Sequence, residues 1–248
     1  MKILLATFLL ISIAPDVIRA EPILPRLRCG GIARQRLVRL RRVADRGRRD
    51  GMHDNEFERL AMTPATRSLF NGQDLSGWSV IDKYDFARHG EIKVEDGAII
   101  LGAGTPASGI RIAGDFPRMN YEVTLEAKRI EGSDFFCGIT FPVGDDYLSL
   151  VLGGWGGGTT GISNLDSLSA IENATTGFQE FEQNRWYRIR LRVTDEKVET
   201  WVDDDQIVDV EHRKHKLSIW WEQEPVRPFG IASWYTKSAV RSIRLTRL

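Results

Sequence analysis

Short stretches in which apolar and polar residues alternate recur from about Glu91 to the end of the chain. A period of two marks strands with one buried face. Residues 91–95 alternate, Asp96-Gly97 follows as a two-residue hairpin signal, and residues 98–101 resume the run. Residues 121–128 alternate so as to place Tyr121, Val123, Leu125 and Ala127 on one face. Residues 186–193 repeat the pattern; Asp195-Glu196 turns the chain into residues 197–202, and residues 206–209, 229–234 and 240–245 complete the series. No long helical pattern interrupts them. Many short alternating strands predict an all-β fold of two antiparallel sheets, because each sheet must bury its apolar face on the other.

Upstream of this pattern the chain changes character. Residues 1–20 carry Lys2, an apolar run from Ile3 to Ile13 and a small residue at Ala20, the layout of a secretory signal peptide. That run is about half the roughly 20 residues of a membrane-spanning helix, so no transmembrane segment is expected, and the expected location is periplasmic or secreted. Cys29 follows Arg28, where lipid attachment needs a small residue. Residues 21–67 hold twelve arginines against six acidic residues, net +6, while residues 68–248 hold 20 Lys+Arg against 27 Asp+Glu, net −7. The neutral total therefore hides a basic linker ahead of an acidic domain. Ile32, Leu37, Leu40 and Val43 would give a linker helix a narrow apolar edge. The alternatives for this segment are a disordered tether and contact with anionic surfaces. The turn-rich run Asn71 to Trp78 opens the domain, with the boundary near Pro64.

An acidic domain without phosphate or nucleotide motifs argues against nucleic acid as a partner. Two cysteines, Cys29 and Cys137, make no disulfide framework, and Cys137 sits in an apolar run as a buried small hydrophobe. Of the four histidines only His212 and His215 have a suggestive spacing. The cations around them favour a solvated turn over a metal site. The acidic run 203–205 reads as a polar hairpin tip rather than a calcium loop. No metal or cofactor is expected. Trp78, Trp186 and Trp201 are expected in the core, and Trp220-Trp221 would split between two faces if extended.

The run Ser68-Leu69-Phe70-Asn71-Gly72-Gln73-Asp74-Leu75-Ser76-Gly77-Trp78 resembles the opening signature of the 3-keto-disaccharide hydrolase-like family. The resemblance continues through Ile92-Lys93-Val94-Glu95-Asp96-Gly97, the strand ending Leu125-Glu126, Trp186-Tyr187 and the closing residues 240–245. It covers residues 68–248. It implies a concanavalin A-like jelly roll, export, and cleavage of a glycosidic bond in a sugar already oxidised at C3. Two polar motifs of the family are altered. Phe136-Cys137-Gly138-Ile139 and Pro142 stand where the family shows Asn-Ser-Gly-Ile and Arg, and Tyr147-Leu148-Ser149-Leu150 stands where it shows Tyr-Glu-x-Gln. In addition the chain carries a glycine-rich insert at residues 153–158.

Glycoside cleavage commonly uses two carboxyls, but a ketone at C3 acidifies the C2 hydrogen, so one base and one acid can carry out an elimination. The candidate catalytic residues are Glu126, Asp166 and Glu172. Against them stand an ion pair of Glu126 with Arg190 or Arg192 and simple loop solvation of the other two. Candidate substrate contacts are Trp155, whose glycine neighbours leave its indole uncovered, with Asn164, Asn173 and Trp234. Trp155 could equally close the sandwich edge. Asn173-Ala174-Thr175 also matches a glycosylation acceptor. Two functional readings follow: an exported hydrolase of 3-keto-disaccharides or related modified sugars, and a non-catalytic carbohydrate-binding or envelope-associated domain.

Overall fold

The structure is a computed structural model that describes residues 65–248. The expected signal peptide and nearly all of the arginine-rich linker lie outside the described residues. In chain order the strands begin with β1 (Thr66–Ser68), β2 (Trp78–Val80), β3 (Ile92–Glu95), β4 (Ala98–Leu101) and β5 (Ala107–Ile112). Then come β6 (Tyr121–Glu131), β7 (Cys137–Val143), β8 (Asp146–Gly154), β9 (Thr159–Ser163) and β10 (Gly177–Phe178). The last are β11 (Tyr187–Val193), β12 (Val198–Val202), β13 (Asp205–Val210), β14 (Gly230–Trp234) and β15 (Lys237–Arg247).

All pairings are antiparallel. An eight-stranded sheet runs β13-β12-β11-β6-β15-β4-β3 with β1 added to β15, and a seven-stranded sheet runs β10-β9-β8-β7-β14-β5-β2. This is the two-sheet sandwich that the alternation predicts and the jelly roll that the family resemblance implies. Asp96 and Gly97 form the expected hairpin turn between β3 and β4, with φ of 51° and 74°, the left-handed pair that a twisted hairpin requires.

The core forms where the inner faces meet. Tyr121, Val123, Leu125 and Ala127 of β6 lie against the same cluster as Ile139 and Phe141 of β7 and Leu148, Leu150 and Leu152 of β8. Phe116 stacks on Phe229 at 4.4 Å and meets Tyr121 edge-on at 5.2 Å. Each large apolar side chain so enclosed contributes roughly 1.5–3 kcal/mol. Cys137 is fully buried within this layer, and burial pushes its thiol well above the usual range.

The outer faces differ sharply. On the eight-stranded sheet Arg192 pairs with Glu122 at 2.7 Å, Arg188 with Asp204 at 3.0 Å and Lys197 with Asp209 at 2.9 Å. Trp201 and Trp186, expected in the core, lie on this outer face instead. Trp201 falls in the outward phase of β12, between the buried Thr200 and Val202, and Arg190 stacks on it at 3.7 Å. Trp186 is held between Lys128 at 4.8 Å and Arg241 at 4.1 Å. Trp78 does reach the core, and its indole N–H donates to Leu69 O at 2.9 Å.

The outer face of the seven-stranded sheet is covered by short irregular segments. Phe86 from the 3-10 turn Tyr84–Phe86 and Val226 from Trp221–Val226 pack on Ala107 and Ala232, with Phe135 and Trp234 against the same cluster. Trp220 and Trp221 therefore do not divide between two strand faces; Trp221 opens the 3-10 segment, and both side chains are exposed.

In a full-length protein with Cys29→Ser, Cys137 is expected to be inert to a thiol reagent near pH 8 while native and to react fully once denatured. Rapid labelling of the native protein would mean that β7 opens readily.

Candidate functional site

The glycine-rich insert is the hairpin between β8 and β9, and a buried arginine holds it. Arg129 lies in the inward phase of β6 and is 5% exposed. Its Nη2 donates to the carbonyls of Gly157 at 2.9 Å, Gly153 at 3.1 Å and Asp134 at 3.2 Å, and its Nη1 donates to Phe181 O at 3.3 Å. Carbonyl oxygens take the place of water around the guanidinium, as burial of a cation demands. Gly153 has φ +78°, and a Cβ there would collide with Arg129 Nη2. Gly158 is covered by the Phe178 ring, which leaves no space for a side chain.

This network aims an aromatic residue outward. Trp155 occupies the first central position of the tight turn, with φ 47°, followed by Gly156 at 94°, and is 47% exposed. Its backbone N–H donates to the carboxylate of Asp134, which burial raises above its usual range despite the opposing backbone bonds from Phe135 and Trp155. Phe135 lies 5.8 Å from Trp234, and Trp234 meets Tyr235 edge-on at 6.1 Å. Tyr84 meets Trp221 edge-on at 5.3 Å. Tyr84 at φ 55° and Tyr235 at φ 46° share the left-handed backbone of Trp155, and both are exposed. For bulky residues this conformation is an outlier that costs on the order of 1–3 kcal/mol each.

The outer face of the seven-stranded sheet also bears a buried polar row. Thr140, Ser149 and Ser163 are in register on β7, β8 and β9, and Thr140 Oγ1 lies 2.9 Å from Ser149 Oγ. Gln223 reaches the same Thr140 at 3.5 Å. Its neighbour Glu222 has the one carboxylate oxygen among the described residues that is enclosed without a hydrogen-bond donor. The altered motif positions Phe136, Cys137, Leu148 and Leu150 point into the core; Gly138, Thr140 and Ser149 face out.

The candidate carboxylates are dispersed. Glu126 lies on the outer face of the opposite sheet, where it accepts from Arg241 Nε at 2.9 Å and Ser242 Oγ at 3.1 Å. Its ion pair is thus with Arg241, not with Arg190 or Arg192, because the register shift of β15 between Arg241 and Arg244 turns both donors towards it. Glu172 accepts from Ser169 Oγ at 2.6 Å within its own loop. Asp166 meets a residue that the sequence pattern left as a solvated turn: His215 Nδ1 is 2.6 Å from its Oδ2, and Lys216 N–H donates to its Oδ1 at 2.7 Å. The His215 contact, then the Lys216 bond, hold this carboxyl below its usual range. His212 turns away from that pair, with Nε2 3.1 Å from Thr194 O.

Asn173 is a loop staple rather than an open contact. Its amide nitrogen donates to Ile162 O, Ser169 O and Leu168 O, and its Oδ1 accepts from Thr175 N–H and Oγ1. These bonds occupy the amide that a glycan would need. Asn164 has φ 61° and an enclosed Oδ1 without a partner, while its carbonyl accepts from Ser218. The acidic run 203–205 is a hairpin tip, with Asp203 and Asp204 paired to Arg185 and Arg188.

Two antiparallel sheets packed face to face, with exposed rings along one side, place the protein in the broad class of jelly-roll β-sandwiches. Residues 65–246 match the 3-keto-α-glucoside-1,2-lyase-like domain, and the chain belongs to that family. Among solved structures it is similar to a candidate glycosyl hydrolase from Parabacteroides distasonis, with 16% identity, 74% of this chain and 94% of that one covered, and a TM-score of 0.47. Domain 4 of the extracellular arabinanase AbnA from Geobacillus stearothermophilus, solved with arabinotriose, aligns at 16% identity over 74% and 91%, TM-score 0.47. The carbohydrate-binding module CBM66 from Bacillus subtilis aligns at 10% over 68% and 94%, TM-score 0.45. No curated protein matches the chain.

Replacing Arg129 by Met is expected to cost about 2 kcal/mol or more, because four carbonyls lose a charged donor. At this chain length that is about 4–8 °C of unfolding midpoint, measurable by thermal denaturation. An unchanged midpoint would show that the network does not hold the hairpin.

Proposed function

We propose that the protein is an exported carbohydrate-active domain that holds a sugar against the aromatic side of the seven-stranded sheet and cleaves glycosidic bonds beside a keto group. The observation that carries this reading is the placement of the exposed rings. Tyr84, Trp155, Phe178, Trp220, Trp221 and Tyr235 all belong to that sheet or its connections, and three of them sit on left-handed backbone. Sugar rings present flat C–H faces that stack on such side chains, while their hydroxyls need the polar groups between them. Family membership supports the keto-glycoside as substrate class, and the secretory pattern of residues 1–20 supports export.

A non-catalytic reading is favoured by one specific observation. Glu126, Asp166 and Glu172 are each engaged by separate partners, and Glu126 lies on the opposite sheet. The two readings separate by turnover.

The purified full chain is expected to cleave at least one member of a panel of 3-keto-disaccharides. Trp155→Ala should raise KM about three- to tenfold, the range of one lost stacking contact. Binding of unmodified glycans without any turnover would assign the protein to the non-catalytic reading. Loss of neither binding nor turnover in Trp155→Ala would remove that ring from the site.

A further inference from the structure

The turn that carries Trp155 needs support from outside itself. The β8–β9 hairpin closes with the turn bond from Gly157 N–H to Gly154 O at 3.2 Å, and it puts Trp155 and Gly156 on left-handed backbone. A bulky residue there costs on the order of 1–3 kcal/mol, so surrounding contacts must hold it. Arg129 takes the carbonyls of Gly153 and Gly157 at the base of the turn. The turn bond leaves the N–H of Trp155 without a partner inside the hairpin. The carboxylate of Asp134 is that partner.

Asp134 joins three connections of the sandwich. It lies between β6 and β7, where its Oδ1 also accepts from Phe135 N–H at 2.7 Å. Its own N–H donates to Thr236 Oγ1 at 3.1 Å, in the β14–β15 turn, and its carbonyl accepts from Arg129 Nη2 at 3.2 Å. Phe135 O accepts from Trp234 N–H at 3.0 Å. Gly132 permits the close approach of these two connections. Its φ is +99°, and a Cβ there would lie 2.7 Å from Tyr235 O. Trp155 is thus fixed to residue 134 and Trp234 to residue 135, so adjacent residues of one loop set the spacing between them.

We propose that Asp134 is the positioning residue of the sugar-stacking surface, holding the Trp155 ring at a fixed spacing from Trp234 and Tyr235 so that one glycan meets them together. The proposal rests on the reading that this side of the sandwich holds a sugar, and it names the residue on which that stacking depends. A ring fixed before binding loses less freedom when the sugar arrives, so the contribution of Asp134 passes through Trp155. The ionised carboxylate serves two backbone N–H donors, and Arg129 is the charged group that faces it. Protonation places a hydrogen on one oxygen and removes acceptor capacity from the turn. Burial raises this carboxyl above its ordinary range, so that loss begins at higher pH than for a solvated aspartate. Sugar affinity is full above this point and falls as the pH falls through it.

The test uses the full chain in calorimetric titrations with 3-keto-disaccharides and the unmodified disaccharides they derive from. Asp134→Ala is expected to weaken binding of the tightest member about three- to tenfold, the range of one lost stacking contact. In a Trp155→Ala background the same change should alter affinity less than about twofold, because no ring is left to position. Asp134→Asn keeps the shape, carries the test if the alanine variant does not fold, and should abolish the parent's fall in affinity on acidification. Amide hydrogen exchange at Trp155, followed by NMR, should be slow in the parent and fast in Asp134→Ala. Additive losses in the double variant, parental affinity in Asp134→Ala, or a parental pH profile in Asp134→Asn would overturn the assignment and leave the sugar reading intact. A folded parent that binds no member of the panel would overturn both.

Discussion

The hairpin that carries Trp155 depends on one buried cation. Arg129 stands on a strand of the eight-stranded sheet and gives its hydrogen bonds to carbonyls of the β8–β9 hairpin, of Asp134 and of Phe181. A guanidinium removed from water costs several kcal/mol unless its donors find acceptors, so the backbone of residues 153–157 must bring its carbonyls inward. Glycine is what allows it. At Gly153 a side chain would occupy the space of the guanidinium itself. The insert therefore reads as the consequence of Arg129, and the outward Trp155 as the consequence of the insert.

Much of the fold was legible because β6, β11 and β12 each have one wet face. Their burial alternates residue by residue, and the sequence shows that alternation directly. Strands β7, β8 and β9 are buried on both faces, since Phe135, the loop ahead of β10 and the 3-10 segment Trp221–Val226 cover them. Thr140, Ser149 and Ser163 are the few polar residues in their outward phase, too few among glycine, valine and proline to set a clear period. The same distinction explains the misplaced Trp186 and Trp201: bulk and hydrophobicity suggest a core, while the phase of the strand and stacked arginines place them outside.

The site was legible only in parts. Trp155 and Trp234 could be selected from their surroundings, but Tyr84, Trp221 and Tyr235 have no local pattern that exposes them. Arg129 had a signal, because continuing the alternation of β6 beyond Lys128 puts an arginine on the inner face. The Asp166–His215 contact had none. The two residues are 49 positions apart, and only the closure of the sandwich edge brings them within a hydrogen bond. The altered family motifs likewise needed the register. Phe136, Cys137, Leu148 and Leu150 line the core, so a polar group restored at those positions would be buried rather than presented to a ligand.

The two outer faces use their side chains in opposite ways. On the eight-stranded sheet tryptophans are covered by arginine and lysine, and charges are paired across strands, which keeps a solvated surface from offering apolar area. On the seven-stranded side Tyr84, Trp155 and Tyr235 are left uncovered on a backbone that favours glycine or asparagine. A turn needs no bulky ring at such a position, and net stability of a domain is only about 5–15 kcal/mol. Three outliers of 1–3 kcal/mol each are a large share of that margin. Strain of this size is held in place by the packing around each turn, and it sets these uncovered rings apart from the covered tryptophans of the charged face.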